Sequence, residues 1–74
     1  APEFVVRIYA ELLCRQGKLV EAYKYLTQIY PSLINTSDYH QALVLGRIQM
    51  LENDLNIMKE NRFQATIINT WKDL

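Results

Sequence analysis

Gly17 and Pro31 cut this chain into stretches, and within each stretch apolar residues recur every three or four positions. That spacing is the signature of helices with one buried face. Only two glycines and two prolines occur in the whole sequence, so little else interrupts it. Strand-like character is confined to the β-tolerant run Ala65-Thr66-Ile67-Ile68. The expected fold class is all-α: a helical hairpin followed by one long or two shorter helices, either α-solenoid-like or a small helical bundle.

From Phe4 to Gln16, Val5, Ile8, Tyr9, Leu12 and Leu13 fall on one face, the expected core side of the first helix. Arg15 then Gly17 is a helix stop, because glycine enters the left-handed backbone region cheaply. The second helix places Leu19, Ala22, Tyr23, Leu26 and Ile29 or Tyr30 together, and Pro31 forbids its simple continuation. Thr36 or Ser37 is an N-cap for a third helix, with Asp38 complementing the dipole in its first turn. The stripe of that helix can be traced through Tyr39, Leu43, Ile48, Leu51, Leu55 and Met58. Val44, Ile48, Leu51, Leu55 and Met58 alternate spacings of four and three, as in a coiled-coil seam, over about two heptads. Gly46 inside this helix costs about 1 kcal/mol against alanine, which suggests a close helix crossing. Phe63, Ile67, Trp71 and Leu74 suggest a last helix. The expected spans are roughly 4–16, 18–30, 38–60 and 63–73, in a single domain from residue 5 to 74.

The chain has 74 residues, with eight basic and eight acidic side chains. Such a length allows one small domain near the lower limit for a self-sufficient core. The charge balance offers no long-range attraction for nucleic acid or anionic lipid. No apolar run approaches the roughly 18 to 20 residues of a membrane helix. Residues 1–4 include Glu3-Phe4, which a common cloning site encodes, so this end is read as vector-derived in origin. The last residues follow directly on an apolar run, as in a piece excised from a longer chain. No secretory signal is visible, and the lone Cys14 fits a reducing compartment. The expected location is intracellular, with the cytoplasm first and the nucleus also open.

Candidate chemistry is sparse. His40 is the only histidine, read as a surface or cap residue, and no second ligand stands beside it for a metal. Cys14 reads as a small half-buried side chain without a base partner. Glu52 and Asp54 are two apart and do not share a helix face. The reading is non-enzymatic, with no catalytic, metal-binding or cofactor-binding residue and no cofactor.

Tyr9-Ala10-Glu11-Leu12-Leu13-Cys14-Arg15-Gln16-Gly17-Lys18-Leu19-Val20-Glu21-Ala22-Tyr23-Lys24-Tyr25-Leu26 resembles a single degenerate tetratricopeptide-type hairpin over residues 6–31. Small Ala10 and Ala22 stand where two helices would approach closely, Gly17 at the turn, and Leu26 one turn beyond Ala22. Val6 replaces the early aromatic of that pattern, Pro31 arrives about three residues early, and residues 38–60 do not repeat it. Other α-solenoids, such as the helical arms of the outer COPII coat, use similar hairpins. The resemblance implies protein–protein assembly.

Apolar residues also exceed what so short a chain can easily bury, which marks partner surfaces. The expected function is a non-catalytic scaffold or interaction module working through apolar helix faces. Its expected anchors are Tyr25, Leu45, Leu51, Leu55, Met58, Ile68 and Trp71. The partner would be another protein, the rest of a longer parent chain or a second copy, with no nucleic acid and no membrane span. The alternative is a small helix-turn-helix-like DNA-associated regulator dimerising through its third helix. Its would-be recognition helix carries only Lys18 and Lys24 as bases, short of the expected charge footprint.

Overall fold

The computed structural model describes residues 3–57. Helix α1 (Glu3–Arg15) and helix α2 (Leu19–Ile29) form a hairpin. A 3-10 helix (Tyr30–Asn35) leads into helix α3 (Asp38–Leu55), which packs chiefly on α2 and also reaches α1. No strand occurs among the described residues. The fold is therefore the expected all-α one, a small helical bundle built on a hairpin.

Local chemistry explains each boundary. Gly17 adopts φ +78°, and the Lys18 and Gly17 amides donate to the carbonyls of Leu13 (2.9 Å) and Cys14 (3.0 Å). This paired closure satisfies two carbonyls that the end of α1 would leave open. Pro31 stands in the first turn of the 3-10 helix, where its missing N–H is harmless. After the expected stop at Pro31 the chain thus tightens into a short helix instead of an irregular loop. Ser37 is the N-cap of α3: its Oγ accepts from the His40 amide at 3.1 Å.

At its far end α3 stops at Leu55, earlier than the expected residue 60. Asn56 enters the left-handed region (φ 56°), and the Ile57 amide donates to the Glu52 carbonyl at 2.8 Å. Asparagine tolerates that conformation better than most residues, so it closes α3 much as Gly17 closes α1. The break at Asn56 ends α3 within the described residues. The expected last helix, 63–73, lies outside the described residues.

The core joins Val6, Ala10 and Leu13 of α1 to Ala22 and Leu26 of α2, Leu33, and Val44, Ile48 and Leu51 of α3. Ala10 and Ala22 are buried, as a close hairpin requires. Three expectations are corrected by this core. The buried side of α1 is Val6, Ala10 and Leu13, while Val5, Ile8, Tyr9 and Leu12 face outward. On α3, Tyr39 and Leu43 also face outward. Gly46 marks no close crossing: a Cβ built on it meets nothing within 4 Å.

Candidate interaction surface

The outward side of α1 is apolar along almost its whole length. Phe4, Ile8 and Leu12 repeat every four residues and remain 56%, 49% and 48% exposed. Val5 and Tyr9 lie beside them, also exposed. A helix in a two-layer protein normally turns a polar side to water. Here Val6, Ala10 and Leu13 are buried on one side while large apolar residues cover the other. On one flank Tyr9 meets the Tyr25 ring edge-on, with centroids 4.8 Å apart. On α3, exposed Tyr39, Leu43 and Met50 add further apolar area.

A groove between α1 and α3 opens on a different flank. Its floor is Ala10, Leu26 and Val44, its walls carry Arg7, Glu11 and Arg47, and it encloses about 230 Å³. The Arg7 guanidinium stands 5.9 Å from the centre of the Tyr39 ring, a cation–π distance. Arg7 Nε is buried without an acceptor. On the same wall, Glu11 Oε1 accepts from Arg15 at 3.0 Å.

The second cavity, about 200 Å³, lies between the start of α1 and the 3-10 helix and touches His40. His40 is wholly buried, and neither ring nitrogen has a hydrogen-bond partner. This corrects its expected place at the surface: only its backbone N–H takes part in the cap. Nearby, Glu3 accepts twice from Ser37, from the amide to Oε1 (3.0 Å) and from the hydroxyl to Oε2 (2.9 Å). These two bonds, the amide first, hold the Glu3 carboxyl below its ordinary value of 4.5, against the opposing effect of desolvation. A residue read as part of a vector-derived end thus ties the start of α1 to the start of α3.

Of the anticipated anchors, Leu51 is 2% exposed and belongs to the core. The alternating seam of α3 explains this: its Val44, Ile48 and Leu51 serve the chain's own interior. Tyr25 is half-buried against the core and Tyr9, and Leu45 and Leu55 are half-buried. Met58, Ile68 and Trp71 lie outside the described residues. The outer face of α1 was missed as a surface because its periodicity was assigned to the core. The signal that could have found it is the second apolar spacing, Val6, Ala10 and Leu13, on the opposite side.

Among the described residues no three His, Cys, Asp or Glu side chains gather as a metal would need, and no helix is long and apolar enough to cross a membrane. Buried Glu52 receives the Tyr23 hydroxyl at 3.2 Å, an internal tie between α2 and α3. Comparison with protein-family models, with curated proteins and with solved structures finds no match to the chain.

Proposed function

We propose that this chain is a non-catalytic scaffold or interaction module that assembles through apolar helix faces. The observation that carries this reading is the outer face of α1, where Phe4, Val5, Ile8, Tyr9 and Leu12 stand exposed in one contiguous patch. Contiguous exposed apolar surface of this kind marks a contact site on most proteins that carry it. A helix apolar on two opposite sides is suited to lie between two layers, as inner helices of α-solenoids do. The degenerate tetratricopeptide-like hairpin supports the same reading. Its partner is a helix of another protein, of a second copy or of a longer parent chain, and it works in an intracellular setting. Of the described polar side chains, His40 is wholly buried and Glu52 is engaged by Tyr23.

Light scattering behind a sizing column, across a concentration series, tests this. Self-association that Ile8→Ser combined with Leu12→Ser abolishes, without loss of helicity, is the expected result. A chain that stays at the monomer mass of 8.7 kDa throughout, and elicits no response from an apolar-surface dye, would refute the reading.

A further inference from the structure

We propose that the groove between α1 and α3 takes an acidic residue and an adjoining apolar residue from an extended or helical segment of a protein partner. This surface is separate from the outer face of α1 and stands or falls independently of it. Three observations carry the inference.

The first is unanswered charge. Arg7 and Arg47 line the same cavity; among the described residues neither has a hydrogen bond or close ion pair to a carboxylate, and Arg7 has only a Coulombic interaction with Glu3. Arg7 Nε is buried without an acceptor. Burying a guanidinium nitrogen unpaired is costly, and a bidentate carboxylate matches its fork geometry. The one carboxylate on the groove wall, Glu11, is engaged by Arg15. Tyr39 holds the Arg7 guanidinium from the side, which limits its rotamers before anything binds.

The second is the floor. Ala10, Leu26 and Val44 offer an apolar base beneath the two cations. A phosphate-bearing ligand would meet apolar floor and the Glu11 carboxylate, and the chain's net charge of zero gives no attraction for a polyanion. A carboxylate paired with an apolar side chain complements both parts of the groove.

The third is size. About 230 Å³ is below the roughly 300 to 1,000 Å³ of pockets that enclose whole small ligands. It exceeds the cavity of about 150 Å³ that accommodates benzene in an engineered apolar core. One branched or aromatic side chain fits, and a nucleotide-sized cofactor does not. In the groove, Arg7 and Arg47 bracket the carboxylate while the neighbouring side chain displaces water from Ala10, Leu26 and Val44.

Nuclear magnetic resonance on the intact chain tests this, read at the Arg7 and Arg47 Nε–Hε signals and the Leu26 and Val44 methyls. The probes are short capped glycine-serine peptides carrying one Asp-Leu pair, one Asn-Leu pair or one Asp-Ser pair. The Asp-Leu peptide is expected to shift all four residues saturably. The other two should bind at least about tenfold more weakly, since each lacks one half of the recognition. Arg47→Gln should remove the response and Arg47→Lys retain part of it. Lys18→Gln, off the groove, should leave it unchanged. Equal binding of the Asp-Leu and Asn-Leu peptides would overturn the proposal. So would shifts confined to other residues, or no shift at roughly ten millimolar peptide.

Discussion

Alanine in place of either glycine should move stability in opposite directions, although the added atom is identical. At Gly17 and at Gly46 the new Cβ meets nothing within 4 Å, so packing contributes little at either site. What remains is the backbone. Gly17 sits at φ +78°, where an L residue is strained by about 1 to 2 kcal/mol. Restricting the unfolded chain returns roughly 0.5 kcal/mol of that, leaving a net loss of about 1 kcal/mol. Gly46 lies within α3, where alanine is favoured by about 0.5 to 1 kcal/mol. The two variants should therefore differ by roughly 2 kcal/mol. Urea unfolding followed by helical circular dichroism measures this directly. With a slope of about 1 kcal/mol per molar, Gly17→Ala should lower the midpoint by about 1 M and Gly46→Ala raise it by somewhat less, both with unchanged slope. A Gly46→Ala variant less stable than the parent would refute the reasoning, because some group would then have to sit against that face of α3.

Three more outcomes follow from the interior and the helix starts. His40→Leu should be neutral or stabilising by about 1 kcal/mol, since it removes two buried nitrogens without partners. A thermal scan should then show a Tm that is unchanged or raised by up to roughly 4 to 8 °C, whereas a marked fall would mean the imidazole is bonded after all. Ala22→Leu should cost about 1 to 3 kcal/mol by overpacking a wholly buried position in the hairpin, and unchanged stability would deny that α1 and α2 are tightly apposed. Glu3→Gln should remove a pH-dependent contribution. The Glu3 carboxyl is depressed in the folded chain, so its contribution is present above the unfolded value near 4.5 and is lost as pH falls through the folded one. Parent and variant should therefore differ in unfolding midpoint at pH 6 and converge on acidification; a gap that persisted in acid would contradict the Ser37 bonds.

The helix ends were the most legible part of the sequence, because they depend on one or two residues each. Gly17 and Ser37 act where their backbone and side-chain preferences place them. Faces were harder to read. In α1 the bulkier residues Val5, Ile8, Tyr9 and Leu12 form the more conspicuous pattern, but the core takes smaller Val6 and Ala10 so that α2 can approach. Periodicity shows that a helix has an apolar side, and does not say which of two sides is covered. In α3 the termination rests on one left-handed residue, Asn56, that apolar spacing cannot reveal. The groove and His40 were illegible for a related reason. Arg7 and Arg47 are forty positions apart in sequence and meet only through the α1 and α3 contact. A histidine next to an N-cap also looks solvent-facing until the 3-10 helix closes over it.

The oily outer side of α1 also bears on how the protein behaves as a colloid. Molecules of this chain carry no net charge near pH 6.8, so nothing holds them apart at long range there. Their encounters are then governed by short-range attraction between patches of Phe4, Ile8 and Leu12. Salt, which normally screens repulsion, has little repulsion to remove under these conditions. Moving one or two units from neutrality in either direction restores mutual repulsion while leaving the patch intact. Solubility should accordingly pass through a minimum near neutral pH, set by the side of α1 that the fold itself leaves bare.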